Sequence, residues 1–429
     1  MKSDRSLTTN SQLPKEYKQT EVGVIPDDWL CDGLDKFWTV TDCKHVTAQF
    51  IRSGFPVASI KEVQSRYVDL SNANQTTDIY YKKLIEGGRK PQAGDLILSR
   101  NATVGEIAQV GEWHPLFAMG QDVCLLRKKS SKFSTSLLQA IFQSPIIELQ
   151  LENCMVGSTF RRVNVEQIKN LVIPLPSTIA EQNLIARALS DTDALIESLE
   201  QLLAKKRQIK QGAMQELLRS KDTWDKEEIR NILTLIMDYR GRTPKKLGME
   251  WGGGDIRALS AGNVKRGWID FEAEAYFASE ALYQKWMTQG VTKENDILVT
   301  TEAPLGNIAI IPDSKKYILS QRVISLRTDP QIINSKYLYH YISSEIFQEL
   351  LKKDSSGSTA TGIQRLKLEK ILIAFPSLAE QQAIATILSD MDLEIGAIET
   401  KLTKARQLKQ GMMHELLTGK IRLIDKGNT

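Results

Sequence analysis

The sequence predicts an α+β fold made of two related halves, each an α/β head followed by one long helix. The main observation is an internal repeat: one copy, GSTFRRVNVEQIKNLVIPLPSTIAEQ, starts at Gly157, and the other, GSTATGIQRLKLEKILIAFPSLAEQQ, starts at Gly357. Each copy continues into a proline-free stretch with helical periodicity. A tandem repeat of this length indicates two equivalent bodies related by a pseudo-two-fold axis.

Composition limits the classes of protein that fit. A chain of 429 residues with 41% hydrophobic and 25% charged residues is typical of two or three folded domains. The net charge of +4 is too small for indiscriminate nucleic-acid binding but allows local basic faces. We expect no membrane span and no signal peptide, because no apolar run is long enough and the N-terminus is polar. Cys31, Cys43, Cys124 and Cys154 lack CxxC spacing, which predicts a reducing, cytoplasmic location.

The repeat divides the chain into five parts. They are a polar tail (1–19), a first head (20–156), a repeated block with a long helix (157–219), a second head (220–356) and a second repeated block with a long helix (357–429). The two blocks are alike, whereas the heads share a framework and differ in detail, as AGDLILSRNATVGEIA at 93–108 and ENDILVTTEAPLGNIA at 294–309 show. The simplest interpretation is a duplicated scaffold that carries two different heads.

Inside each head the pattern predicts both strands and helices. In the first head Asp95–Arg100, Ile107–Val110 and Val123–Arg127 have the apolar, β-branched character of strands. Ser134–Leu151, and its counterpart Ser335–Leu351 in the second head, are helical in pattern.

The long helices are predicted over 180–218 and 379–417, and each would span roughly 58 Å. Their apolar residues recur with the 3.5-residue spacing of a coiled-coil seam, which favours an intramolecular antiparallel pair. The alternative is that each helix packs only on its own head. In an antiparallel pair the heads would lie one to two turns of duplex DNA apart, which suits a bipartite DNA site. The predicted seam comprises Ile185, Leu189, Ile196, Leu199 and Leu203 in the first helix, and Ile384, Leu388, Met391, Ile395, Ile398 and Leu402 in the second.

These segments resemble the specificity subunit of type I restriction-modification systems from about residue 20 onwards. The resemblance lies in the two Gly-Ser-Thr motifs at 157–159 and 357–359 and in GVIPDDW at 23–29. It also lies in IPLPSTIAEQNLIARALSDTD and FPSLAEQQAIATILSDMD, and in KKRQIKQGAMQELL and KARQLKQGMMHELLTGKIR. In that family, two target recognition domains each read one half of an asymmetric, bipartite sequence in double-stranded DNA. The helical regions set the gap and dock two DNA methyltransferase subunits, and restriction/translocase subunits join afterwards.

The resemblance implies a chain without catalytic residues, metal or cofactor of its own. S-adenosylmethionine, ATP and Mg are expected on the partner subunits. The residues agree with this expectation, because the chain has neither a GxxxxGK[ST] phosphate loop nor the Pro-Pro pair of an adenine methyltransferase motif. His45, His114, His340 and His414 are scattered without metal-ligand spacing.

The candidate DNA contacts are cations and amides in loops of the heads, because such side chains bind phosphates and base edges. The loop after residue 238 supplies Arg240, Arg242, Thr243, Lys245 and Lys246, and the corresponding loop of the first head supplies Lys44, His45 and Thr47. The alternative for these loops is a solvated basic surface.

A second group of candidates follows a shared strand, although loops at strand ends differ between domains for many reasons. It comprises Arg100, Asn101 and Thr103 in the first head, and Thr301 and Glu302 in the second. Further candidates for phosphate contact are Arg161, Arg162, Lys265, Arg266 and Arg365.

Two other classes of function compete with DNA recognition. A two-headed protein-protein scaffold that does not contact DNA would use the same coiled coil, and an enzyme with an unrecognised site is a third class. Binding to duplex DNA that weakens steeply with salt separates the first two classes. The last residues, IRLIDKGNT, end where the first half would lead into a new head, so we expect the C-terminus to pack beside the first head.

Overall fold

A computed structural model describes residues 16–155, 162–353, 355 and 362–424. The chain forms two compact units, one of residues 1–199 and 402–429 and the other of residues 200–401. This division runs through both long helices, whereas the domains predicted from the repeat begin and end outside them.

Unit 1 contains the first head. Its strands are β1 (Tyr17–Thr20), β2 (Gly23–Pro26), β3 (Leu30–Gly33), β4 (Trp38–Asp42), β5 (Phe50–Ile51), β6 (Phe55–Ala58), β7 (Asn74–Thr76), β8 (Leu96–Ser99), β9 (Ile107–Gln109), β10 (Ala118–Met119), β11 (Val123–Lys128) and β12 (Val172–Leu175). Its helices are α1 (Leu34–Phe37), α2 (Asp78–Leu84), α3 (Thr135–Phe142), α4 (Pro145–Met155), α5 (Val165–Lys169) and the first part of α6 (Ile179–Leu217). Strand β1 includes the last residues of the predicted polar tail and pairs with β2.

Unit 2 contains the second head. Its strands are β13 (Asp225–Glu228), β14 (Leu233–Asp238), β15 (Ile256–Leu259), β16 (Phe277–Ala278), β17 (Ile297–Thr301), β18 (Leu305–Ile310), β19 (Tyr317–Leu319), β20 (Val323–Thr328) and β21 (Leu372–Phe375). Its helices are α7 (Glu280–Trp286), α8 (Ser335–Ser343), α9 (Glu345–Lys353), α10 (Arg365–Glu369) and the first part of α11 (Leu378–Leu417).

Both units are built on the same four-stranded antiparallel sheet. The strand order is β4-β11-β8-β9 in unit 1 and β14-β20-β17-β18 in unit 2. The register also agrees, because Asp42 lies opposite Cys124 and Asp238 lies opposite Ile324. Strands β8 and β17 are buried along their whole length, as their apolar and β-branched runs predict. The duplicated scaffold inferred from the repeat is therefore present in the fold.

The segments Ser134–Leu151 and Ser335–Leu351 are helical, as their pattern predicts, but each forms two helices in succession. In both units the break falls at a serine, and the Oγ of Ser144 and of Ser344 donates to a carbonyl three residues back at 2.6 Å. A serine side chain that bonds to nearby backbone competes with helical hydrogen bonds, which explains a break that apolar periodicity does not reveal.

A buried glutamine in the first turn anchors each long helix. The side chain of Gln182 accepts from the Ser134 amide at 2.8 Å and donates to the Pro176 carbonyl at 2.8 Å. Gln381 does the same with Asn334 and Pro376, again at 2.8 Å each. Because both glutamines are at most 1% exposed, their amides satisfy backbone groups that would otherwise be buried without partners. This explains why the glutamine recurs at this position in both copies of the repeat.

In unit 1 the beginning of α6 packs against the end of α11. Asp193 and Lys409 form an ion pair at 2.6 Å, and the Thr192 hydroxyl lies 3.4 Å from the Met412 sulfur. Residue numbers rise along one helix as they fall along the other, so the helices run antiparallel here.

In unit 2 the end of α6 packs against the beginning of α11, also antiparallel. Lys206 pairs with Glu394 at 2.6 Å, and Lys210 pairs with Asp392. The cations of this part of α6 are thus largely engaged by acids of α11. Every predicted seam residue in the two helices is buried or half-buried.

The C-terminal arm after α11 packs on the first head, as expected from the sequence. Gly419 lies against Pro26 and Trp29 and accepts a hydrogen bond from the Tyr17 hydroxyl. Three residues later, Arg422 binds the carboxylates of Glu181 and Asp28. In unit 2 the corresponding place is occupied by continuous chain that leads from α6 into β13.

Candidate nucleic-acid interface

In each unit three segments meet at one end of the central sheet. In unit 1 the segment that resumes at Arg162 pairs with Asn101 at the end of β8, and the Val163 amide donates to the Arg100 carbonyl at 3.0 Å. The first strand of the sheet, β4, ends at Asp42 beside them, within reach of the Arg100 guanidinium.

Unit 2 repeats this arrangement with different residues. Gly362 pairs with Glu302, and the Ile363 amide donates to the Thr301 carbonyl at 2.9 Å. Strand β14 ends at Asp238 in the same position as Asp42. We call these assemblies the unit 1 cluster and the unit 2 cluster.

A turn that the sequence analysis missed completes each cluster. Asp122 directly precedes β11 and Arg322 directly precedes β20, and both residues adopt a φ of 65°. The backbone carbonyl of each accepts an equivalent hydrogen bond: that of Asp122 from the Arg100 amide at 2.8 Å, and that of Arg322 from the Thr301 amide at 2.9 Å. The sequence carries a signal for this turn: GQDV at 120–123 corresponds to SQRV at 320–323, and the third residue of the two segments has opposite charge.

Arg100 is an interior residue of the unit 1 cluster. It is 3% exposed, its Nη2 lies 2.6 Å from the Asp42 carboxylate, and it contacts the Cys43 sulfur at 3.8 Å. Arg100 is a candidate DNA contact by its sequence, and the structure places its guanidinium inside the cluster rather than on the surface. Its role in the structure is to balance the charge of Asp42.

The other loop candidates of unit 1 lie nearer the surface. Lys44 pairs with Glu86, His45 Nε2 lies 3.3 Å from Asp42, and Thr47 is exposed.

The strand-end candidates of unit 1 are only half-exposed. The Asn101 side chain accepts from the Ala102 amide at 2.9 Å, and the Thr103 hydroxyl lies 3.3 Å from that of Ser99. Arg162 is exposed, 4.0 Å from Asp122, while Arg161 lies outside the described residues.

In the unit 2 cluster, Asp238 holds Arg240 through two parallel bonds. Arg240 Nε lies 2.9 Å from Oδ1 and Nη2 lies 2.7 Å from Oδ2. Burial opposes ionisation of Asp238, but hydrogen bonds and charge from Arg240 outweigh it, so the pKa of Asp238 is lowered. The pair lines an open cleft of about 600 Å³ with Thr301, Glu302 and the residues Gly362, Ile363, Gln364 and Arg365.

Arg242 and Thr243 shape the loop after Arg240. The Arg242 guanidinium donates to the Trp286 carbonyl and to the Thr288 hydroxyl, and it lies over the ring of Tyr239 at 5.1 Å. Thr243 caps the following turn, since its hydroxyl accepts from the Lys246 amide at 3.3 Å.

The remaining cations of the second head lie in three places. Lys245 and Lys246 are exposed, and Arg365 pairs with Glu369 at the wall of the cleft. Lys265 and Arg266 are on a separate loop, where Arg266 lines another cavity of about 1090 Å³.

Thr301 is 1% exposed, so it is interior like its counterpart Arg100. Glu302 is half-exposed, and its carboxylate lies 3.4 Å from Arg322. The two clusters therefore carry different charges on one backbone framework.

Among the described residues, the donor atoms of Asp42, Cys43 and His45 lie within 4.8 Å of one another. The Arg100 guanidinium forms an ion pair with the Asp42 carboxylate, and its positive charge repels a metal cation. Burial also raises the pKa of the Cys43 thiol, which favours its neutral form. We assign no metal to this group.

The fold and the clusters define a duplicated α+β protein whose two units present different polar groups on the same framework. The Type I restriction modification DNA specificity domain matches residues 48–210 and 221–407. The chain therefore belongs to the family of type I restriction-modification specificity subunits.

Individual relatives extend over nearly the whole chain. The sequence is 25% identical to the MjaX type I restriction enzyme specificity subunit of Methanocaldococcus jannaschii, over 95% of this chain and 97% of that protein. It is 21% identical to the EcoBI specificity subunit of Escherichia coli, over 97% of this chain and 91% of that protein. The fold matches the crystal structure of the type I S subunit from M. genitalium, with a TM-score of 0.59 and 14% identity over 90% of this chain and 96% of that one. No helix among the described residues is long and apolar enough to cross a membrane.

Proposed function

We propose that this chain is the sequence-reading subunit of a type I restriction-modification complex, and that each cluster contacts one half of an asymmetric bipartite target in double-stranded DNA. The observation that carries the proposal is the pair of clusters, which share hydrogen bonds and register but differ in charge. One backbone framework with Asp122 in one unit and Arg322 in the other suits two different half-sites, because base edges are distinguished by the donors and acceptors presented to them.

The long helices would set the gap between the half-sites and dock two methyltransferase subunits, with restriction/translocase subunits joining afterwards. The ion pairs of α6 with α11 within each unit support this role, since each pair fixes the register of the two helices there. Leu202 and Ile209 of α6, seven residues apart, remain 40% and 47% exposed, a spacing that suits a further helix. In this proposal the chain is not an enzyme. S-adenosylmethionine, ATP and Mg belong to the partner subunits, and the chain holds no cofactor.

The proposal predicts salt-dependent binding to a split DNA sequence. With the methyltransferase partner present, affinity for the target should fall about 500-fold between 50 and 200 mM salt if about five phosphates are contacted. Deleting the gene should also remove one split methylated motif from the host genome. Genome-wide methylation profiling and binding titrations measure these two results.

The outcomes separate DNA recognition from the scaffold alternative. A complex that assembles normally, shows no salt-dependent affinity for duplex DNA and leaves the methylation pattern unchanged on deletion would contradict the proposal. The complex is tested rather than the isolated chain, because the methyltransferase subunits belong to the proposed assembly.

A further inference from the structure

Equivalent carboxylates hold guanidinium groups in both clusters, but the arginines come from different positions of the chain. In unit 1 Asp42 pairs with Arg100, at the end of β8. In unit 2 Asp238 pairs with Arg240, two residues further along the same loop. The position equivalent to Arg100 holds Thr301, and the position equivalent to Arg240 holds Lys44. The equivalent carboxylate therefore pairs with a buried arginine in unit 1 and with a partly exposed arginine in unit 2.

The exposure of the two arginines shows the difference. The Arg100 side chain is 4% exposed, whereas the Arg240 side chain is 27% exposed and lines the cleft of the unit 2 cluster. Within the described residues, the Arg240 guanidinium uses Nε and one hydrogen of Nη2 for Asp238, and its remaining N–H groups have no hydrogen-bond partner.

We propose that Arg240 reads a guanine in the half-site contacted by unit 2, with Asp238 as its positioning residue. This inference rests on the proposed function. The free edge of the guanidinium carries two parallel N–H groups, which match the O6 and N7 acceptors of guanine in the major groove. Asp238 fixes the plane of the guanidinium before DNA binds, so less side-chain entropy is lost on contact.

The charges of the cleft favour a base edge over a phosphate. Asp238 lies within 3 Å of the guanidinium, and Glu302 contributes a second carboxylate to the same cleft. Both carboxylates lie beside arginines, since Asp238 pairs with Arg240 and Glu302 lies 3.4 Å from Arg322. The cleft therefore has little net positive charge to attract a phosphate anion, whereas guanine O6 and N7 are neutral acceptors. Lys265 differs from Arg240, because it lies on a separate loop and suits a phosphate contact that does not depend on sequence.

The test compares Arg240 variants in the complete complex with its methyltransferase. Duplexes carry the native target with each base pair of both half-sites varied in turn, and competition binding measures the preference at each position. R240A is expected to lower discrimination at one G·C pair of one half-site by about 10- to 100-fold, leaving the other half-site and the gap unchanged. D238N is expected to weaken preference at that same base pair.

Two further variants make the test specific. R240K keeps a positive charge beside Asp238 but lacks the planar pair of donors, so it should fold and still lose preference for guanine. K265A should weaken binding to all sequences alike and leave base preference intact.

The outcomes distinguish this inference from the proposed function. If the unmodified complex prefers no split target, the proposed function fails whatever Arg240 does. If the target is split but R240A and R240K keep the same preference at every base pair, or lose affinity equally for all sequences, the assignment of Arg240 is overturned. A loss of discrimination at a base pair other than G·C also overturns it.

Discussion

Replacing Arg422 with alanine is expected to destabilise unit 1 by about 3 kcal/mol, because it leaves a buried carboxylate without its partner. Glu181 is 0% exposed, and Arg422 Nη2 lies 2.7 Å from one of its oxygens. The same guanidinium reaches Asp28 through two bonds of 2.9 Å and lies over the ring of Trp29 at 5.9 Å. Hydrogen bonding to Glu181 is the main reason that the pKa of Arg422 is raised. Urea unfolding followed by circular dichroism measures the change.

Unit 2 supplies a matched control for this experiment. Glu380 is the repeat equivalent of Glu181, and its partner Lys221 lies 3.1 Å away in an ion pair whose side chains are 43% and 62% exposed. Replacing Lys221 with alanine (K221A) should therefore lower the free energy of unfolding by less than about 1 kcal/mol. Adding E181Q to R422A should recover part of the lost stability, because the unpaired charge is removed. Equal effects of R422A and K221A would contradict the role assigned to Arg422.

Lengthening both long helices is expected to change the gap of the DNA target without changing the bases read. Seven residues inserted after Leu199 in α6 and seven after Lys401 in α11 keep the heptad phase of both seams. Each insertion adds about 10.5 Å of helix, which corresponds to about three base pairs of B-DNA. Methylation profiling of a host carrying the variant should show both half-sites preserved around a gap that is longer by about three base pairs.

A single insertion of four residues within α6 serves as the control. It shifts the phase of one helix relative to the other, so we expect weaker methylation or loss of a defined gap. If the paired insertion instead altered the bases of either half-site, or left the gap unchanged, the helices would not be the element that sets the spacing.

The scaffold was predictable from the sequence because the same pattern of residues occurs in both copies of the repeat. The strand predicted at Asp95–Arg100, the two long helices and their seam all depend on apolar periodicity, which persists in both copies. The repeat also made the docking of the C-terminal arm predictable, because the arm that carries Gly419 and Arg422 corresponds to the segment of continuous chain that follows α6.

The orientation of individual side chains in the clusters could not be predicted from the sequence. Arg100 and Thr301 follow buried strands, and a loop position alone does not tell whether a side chain faces the solvent or a carboxylate inside. The breaks at Ser144 and Ser344 come from side-chain to backbone hydrogen bonds that do not alter the apolar pattern. Asp122 and Arg322 were detectable only by comparing the two heads position by position.

The most direct test of the account is to exchange residues 224–354 for the equivalent head of another specificity subunit and to profile methylation in a host genome. The account predicts that one half of the methylated motif changes to that of the donor, while the other half and the gap are retained. A motif in which both halves change together, or a native complex that methylates no split motif, would contradict it.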